Sequence, residues 1–238
     1  MRLPFLSSVT SWLAPDSLGY GGRGAGIKTQ IGLRVLQGAL LGLLLFPSTM
    51  AAAKPIKLLA LGDSLVAGYG LREPEGFVPN LEAALREKGY DVTVINGGVS
   101  GDTSKGGLSR LDWSLADEPD AAILELGAND GLRGIDPGST KQNLSQIIER
   151  FQAEGIEVLL AGMMAPPNFG PEYTSEFNGL YPALAEAYGI ALYPFFLDGV
   201  AAEPSLNQGD GIHPNEKGVD IIVERITPYV TDLLESVQ

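Results

Sequence analysis

The stretch Ile56-Lys57-Leu58-Leu59-Ala60-Leu61-Gly62-Asp63-Ser64-Leu65 decides the fold. Its first six residues are a nearly continuous apolar run, too short for a core helix and without alternation, the pattern of a strand covered on both faces. Outward from it, the same kind of run recurs at Val92–Ile95, Ala121–Leu126, Val158–Gly162 and Ile190–Phe195. Between these runs lie segments of helical period. Gly76–Lys88 carries Phe77, Leu81 and Leu85 four apart, and Ser104–Leu115 reads as a shorter helix. Thr140–Glu154 sets Leu144, Ile147, Ile148 and Phe151 on one face, with Gly155 as its stop. Tyr173–Tyr188 reads as a helix interrupted by Gly179 and Pro182, and Asn215–Val237 as a closing helix kinked at Pro228. Strict alternation of strand and helix predicts a parallel sheet with helices on both faces, a doubly wound three-layer α/β/α fold. No repeat or linker divides residues 54–238, which are expected to form one domain.

Residues 1–53 differ from the rest. They hold four cations and one acid, leaving residues 54–238 with a net charge of −16 against −13 for the whole chain. After Arg34 comes the apolar stretch Val35–Phe46, a break at Pro47, and Ala51-Ala52-Ala53. A charged flank, about a dozen apolar residues and small residues at a cleavage site read as a signal peptide cut after Ala53, which predicts a periplasmic or secreted protein. A spanning helix would want about 20 apolar residues, so an uncleaved anchor is the second reading. A start at Met50, leaving a cytoplasmic protein, is the third.

Composition excludes several chemistries. The chain has no cysteine and a single histidine, His213. Disulfides, thiolate catalysis, Cys-ligated metals and multi-histidine metal sites are therefore ruled out, and no metal or cofactor is expected. With 16 Lys+Arg against 29 Asp+Glu, no basic surplus exists to neutralise nucleic-acid phosphates.

In a doubly wound sheet, sites form at the carboxyl ends of the strands. Four segments stand there: Gly62-Asp63-Ser64-Leu65, Gly97–Thr103, Gly127-Ala128-Asn129-Asp130-Gly131 and, beyond a loop, Asp210-Gly211-Ile212-His213-Pro214. Acyl transfer by a serine needs a base, a carboxylate to fix the tautomer of that base, and donors aimed at the developing oxyanion. Ser64, beyond a buried strand, is the candidate nucleophile and His213 the candidate base. Asp210, three residues earlier, is within reach of its Nδ1, and Asp130 is the rival carboxylate. The glycine turn at Gly101, the amide of Asn129 and the N–H of Ser64 are the candidate oxyanion donors. Taken singly, Ser64 is an ordinary turn residue, and Gly101 and Asn129 are ordinary turn formers. Asp63, Asp102 and Asp130 read as structural, capping nearby N–H groups.

In order and spacing, the blocks Gly62–Leu65, Gly101–Thr103, Gly127–Asp130 and Asp210–Pro214 resemble those of the SGNH (GDSL) hydrolase family. The stretches Gly127–Gly134 and Gly211–Asn215 are similar to its bacterial periplasmic arylesterase, acyl thioesterase and lysophospholipase branch. The resemblance runs from about Lys57 to the C-terminus. It implies a flavodoxin-like sheet of order 2-1-3-4-5, Ser64 as nucleophile, Asp210 with His213 as the acid–base pair, and Gly101 and Asn129 as oxyanion donors. It also implies an acyl-binding wall in the loop after the fourth strand, at Met163, Met164, Pro166, Pro167 and Phe169, although packing explains these residues too. Tyr173, Phe177, Tyr181, Leu184 and Tyr188 have helical spacing and read as core or cleft wall.

The expected function is a serine esterase whose substrate is a small aryl or alkyl ester, a thioester or a lysolipid. Acyl-CoA fits less well, because the negative body repels a polyanion and export separates the enzyme from it. A carbohydrate O-deacetylase on the same triad is the enzyme alternative, and a ligand-binding module without turnover is the non-enzyme one. The apolar 163–169 loop weighs against the first and the complete residue set against the second.

Overall fold

The computed structural model describes residues 54–237, so the expected signal peptide lies outside the described residues. β1 (Ile56–Gly62) is the centre of the architecture, with Leu58–Leu61 fully buried. It leads into α1 (Ser64–Ala67), α2 (Phe77–Glu87), β2 (Val92–Gly98), α3 (Ser104–Ser109), α4 (Leu111–Leu115), β3 (Ala121–Glu125), α5 (Ala128–Leu132) and α6 (Pro137–Ala153). β4 (Glu157–Ala161), α7 (Pro171–Tyr188), β5 (Ala191–Tyr193) and α8 (Glu216–Ser236) follow. The strands form one parallel sheet of order 2-1-3-4-5, with Gly62 registered against Gly98 on one side and Glu125 on the other. The chain goes from β1 outward to β2 and then crosses back to β3 on the other side of β1, so the switch point lies between β1 and β3, beside Ser64 and Asn129.

Helices α2 and α8 pack together on one face, and α3, α6 and α7 pack together on the other. The amphipathic spacing read from the sequence is what each helix buries: Phe77, Leu81 and Leu85 on α2, Leu144, Ile147, Ile148 and Phe151 on α6. Phe177, Tyr181 and Leu184 of α7 are core residues, while Tyr173 and Tyr188 are half-buried against it. Gly155 follows α6 in the left-handed region, φ +73°, as a helix-terminating glycine.

Three expectations differ from what is observed. Ser104–Leu115 is two helices, broken at Arg110, which has φ −111° and ψ 10°. Gly106 and Gly107 weaken the first of them, and the Arg110 guanidinium is drawn to Asp102 Oδ2 at 2.6 Å and to the Gly62 carbonyl at 2.9 Å. Helix α7 runs unbroken through Gly179 and Pro182, held by its buried face. Helix α8 is the single closing helix expected and carries Pro228 inside it. The fifth strand shrinks to Ala191–Tyr193, because it pairs only with β4 and Pro194 offers no amide.

Candidate active site

The turn from β1 into α1 presents Ser64 as the first residue of its helix. A Cβ on Gly62 would stand 2.4 Å from Val66 Cγ2 and 2.5 Å from Glu125 Oε2, so no larger residue allows so sharp an exit. Asp63 caps the helix, its Oδ1 accepting from Leu65 N at 3.0 Å. The carboxylate is fully buried, and desolvation lifts its pKa to about 6 against the pull of the Leu65 amide and the Asn129 side chain. Beneath it Glu125, also fully buried, accepts from Asp63 N at 3.2 Å. Burial, followed by the neighbouring Asp63 charge, holds the Glu125 carboxyl well above the usual range.

His213 reaches this turn from the loop before α8. Its Nε2 lies 2.8 Å from Ser64 Oγ and its Nδ1 2.7 Å from Asp210 Oδ2. The network assigns the proton to Nδ1, leaving Nε2 to accept from the serine. Asp210 also accepts from the amides of Ile212 and His213, and the His213 hydrogen bond with these two amides holds its carboxyl down at about 2. The rival, Asp130, is buried elsewhere. Its oxygens accept from Ser104 N at 2.8 Å, Ser104 Oγ at 2.6 Å and Thr140 Oγ1 at 3.0 Å, tying α5 to α3 and α6.

The two further oxyanion candidates come to the same edge. Gly101 turns with φ +85°, a conformation that favours glycine. Asn129 sits in α5, entered through Gly127 at φ +117°, where a Cβ would collide with the Tyr181 hydroxyl. The Asn129 Nδ2 donates to Asp102 O at 2.9 Å and to Asp63 Oδ2 at 3.1 Å. Among the described residues, neither the Ser64 nor the Gly101 amide meets an acceptor, which is the condition of donors kept for a ligand. Asp63 and Asp130 accept from backbone amides, as expected. The Asp102 carboxylate instead pairs with Arg110.

The loop after β4 divides. Met163 is 3% exposed and belongs to the core, because the chain is still leaving the sheet there, whereas Met164 is 54% and Phe169 41% exposed and Pro166 is half-buried. Sequence reasoning passed over several residues that shape the site. The Tyr69 ring leans on the His213 imidazole, centroids 4.6 Å apart. Gln208 Nε2 donates to Tyr69 O at 2.7 Å and Pro214 O at 2.9 Å, and its backbone N–H donates to His213 O, stapling the histidine loop to the turn after α1. Tyr69 lies 139 residues from Gln208 in the chain, and no local pattern signals that contact. Among the described residues no group of three or more His, Asp or Glu is arranged to hold a metal, and no helix is long and apolar enough to cross a membrane.

A sequence model of the GDSL-like lipase/acylhydrolase family matches residues 60–221, a span that takes in Ser64, Gly101, Asn129, Asp210 and His213. The chain belongs to that family. It is 44% identical to esterase TesA of Pseudomonas aeruginosa over 178 residues, covering 74% of this chain and 89% of that protein. Thioesterase 1/protease 1/lysophospholipase L1 of Escherichia coli strain K12 is 40% identical over 188 residues, 78% of this chain and 88% of its own length. The crystal structure of the psychrotrophic esterase EstA from Pseudoalteromonas sp., inhibited by monoethylphosphonate, superposes with a TM-score of 0.72 at 36% identity, covering 75% of this chain and 98% of EstA. Within this GDSL-like hydrolase, the four sequence blocks are the four segments that the sheet brings to one edge.

Proposed function

We propose that this GDSL-like hydrolase is a serine esterase that cleaves carboxylic esters through an acyl-enzyme on Ser64. The observation that carries the reading is the continuous hydrogen-bonded line Ser64 Oγ, His213 Nε2, His213 Nδ1, Asp210 Oδ2, at 2.8 and 2.7 Å. His213 takes the Ser64 proton as Oγ attacks the ester carbonyl, while Asp210 keeps the imidazole oriented and stabilises its charged form. The oxyanion is received by Ser64 N, Gly101 N and Asn129 Nδ2. Collapse of the tetrahedral adduct releases the alcohol, protonated by His213. Water, deprotonated by the same imidazole, then frees the acid and restores Ser64.

The exposed side chains of Tyr69, Met164, Phe169 and Ile212 give the strand-end edge an apolar character. This favours aryl or alkyl esters and lysolipids over acetylated sugars, with Met164, Pro166 and Phe169 as the acyl-side wall and Met163 packed beneath it. The relatives named esterase and thioesterase/lysophospholipase support the same range. A fluorophosphonate probe is expected to label Ser64 and abolish turnover of p-nitrophenyl esters, and Ser64→Ala is expected to be inactive. Full activity in Ser64→Ala sinks the reading. The Val35–Phe46 stretch and Ala51–Ala53 support export with cleavage near Ala53. Intact-mass analysis of protein from a secreting host then finds an N-terminus at or near Lys54, and a product beginning at Met50 overturns export.

A further inference from the structure

The reaction scheme leaves one cation at this edge unused. Arg133 follows α5 and closes its last turn, its N–H donating to Asn129 O and Asp130 O, each at 3.2 Å. Its side chain folds back over the site, where Nη2 donates to Gly101 O at 3.0 Å and to Asn129 Oδ1 at 3.3 Å. These two acceptors belong to the two oxyanion candidates other than Ser64, and they arrive from different strands, β2 and β3. The guanidinium is exposed, and among the described residues it lies in no ion pair. It also packs on the turn itself, Nη2 standing 3.8 Å from where a Cβ on Gly101 would be.

The amide of Asn129 is therefore held at both ends. Its Nδ2 faces two oxygens, Asp63 Oδ2 and Asp102 O, and its Oδ1 faces a guanidinium N–H. Turning it over would set NH₂ against the guanidinium and a carbonyl oxygen against a carboxylate, so Nδ2 is fixed toward Asp63 and Asp102 at the nucleophile turn, and one of its two N–H groups leaves those oxygens to serve the oxyanion. A hydrogen bond from a cation to the oxygen of an amide also strengthens that amide as a donor through its nitrogen.

We propose that Arg133 is a positioning residue for the oxyanion hole, clamping Gly101 and Asn129 at one separation and holding a positive charge one amide group away from the developing negative charge. This rests on the serine esterase reading. Arg133 touches none of the reacting atoms, and its effect passes chiefly through Asn129. Because an oxyanion interaction grows from ground state to transition state, its loss appears in kcat and not in KM.

The test uses Arg133→Gln and Arg133→Lys with a short-chain p-nitrophenyl ester, alongside thermal melts and inhibition by an alkylboronic acid, which mimics the tetrahedral adduct. Arg133→Gln is expected to lower kcat roughly tenfold with KM within about twofold, and to weaken boronate binding in the same proportion. Its melting temperature is expected to match wild type, and Arg133→Lys, which keeps the charge and loses the fork, to fall between the two. In an Asn129→Ala background, Arg133→Gln is expected to cost less than about twofold more. Unchanged kcat in Arg133→Gln, a loss confined to KM, or full additivity with Asn129→Ala overturns the inference. If Ser64→Ala stays active, the esterase reading itself falls. If Ser64 is essential and Arg133→Gln is unimpaired, only the role of Arg133 falls.

Discussion

At the scale of single residues, Asp63 does two things that pull against each other. Its carboxylate accepts from Leu65 N, which starts α1, and from Asn129 Nδ2, which orients a proposed oxyanion donor. Both bonds want the ionised form, yet burial raises its pKa from 3.8 to about 6. A group with a raised folded-state pKa contributes stability below its unfolded value, and that stability is lost as pH rises through the folded value. Ionised Asp63 thus costs stability above about pH 6, up to about 3 kcal/mol from the size of the shift. Asp63→Asn removes that titration while putting an NH₂ or a second amide dipole against Asn129. The expected outcome is a variant whose stability relative to wild type climbs between pH 4 and 6, and whose kcat at pH 8 is lower by roughly tenfold or more. Denaturant melts across that pH range check the first part. A relative stability that does not change with pH would mean that Asp63 is not titrating there.

The two carboxylates once in competition separate in the same way. Asp210 bonds to His213, while Asp130 bonds to Ser104 and Thr140. Asp210→Asn is expected to cut kcat by about 10³-fold or more with little change in melting temperature. Asp130→Asn is expected to lower the melting temperature, since it leaves one of three buried donors unpaired, at a cost of about 1–3 kcal/mol. Because Asp210 is held at about 2, it stays ionised at every pH above about 4, and activity lost on mild acidification is not lost through this carboxylate.

At the scale of elements, the helix that carries the proposed nucleophile is set by what lies behind it. A Cβ on Gly98, at the end of β2, would stand 2.3 Å from Ala67 N and 2.7 Å from Ala67 Cα. Backbone cannot swing aside as a side-chain tip can, so Gly98→Ala must push α1 or part β2 from β1. It is expected to destabilise the fold by about 1–3 kcal/mol and, because Ser64 heads α1, to lower kcat more than a surface substitution of equal stability cost. Kinetics set beside a denaturant melt test this, and an active, fully stable variant would refute the close packing. What the sequence discloses follows from the same physics. The buried strands were legible because β1 and β3 are apolar on both faces, and α6 because Leu144, Ile147, Ile148 and Phe151 keep one face over about two turns. Helices α1 and α5, four and five residues long, are too short for a period. They exist because Asp63 caps one and Gly127 admits the other. The blocks with Ser64, Gly101 and Asn129 were legible because each follows the end of a strand, and the block with His213 because it sets the one histidine of the chain three residues after Asp210. Glu125 under Asp63, Arg133 across Gly101 and Gln208 against Tyr69 act over separations of 62, 32 and 139 residues, which no local pattern encodes.

At the scale of the whole molecule, charge decides which substrates arrive. Residues 54–238 carry −16, and of the cations at the strand-end edge Arg110 is spent on Asp102 while Arg133 is shared between two neutral oxygens. A neutral p-nitrophenyl ester approaches without regard to this field. An acyl-CoA, carrying several phosphate charges on its leaving group, is repelled, and the repulsion depends on ionic strength because the Debye length falls from about 30 Å at 0.01 M to about 8 Å at 0.15 M. With butyryl-CoA and p-nitrophenyl butyrate as a matched pair sharing one acyl group, kcat/KM for the thioester is expected to rise several-fold across that range while the neutral ester stays flat. In the proposed mechanism the acyl-enzyme is common to both, so the difference reports approach and leaving-group binding alone. A thioester rate that falls with salt would reverse the argument. The local positive field of Arg133 at the mouth, and not the net charge of the body, would then govern entry, and polyanionic thioesters would return as substrates this site is built to accept.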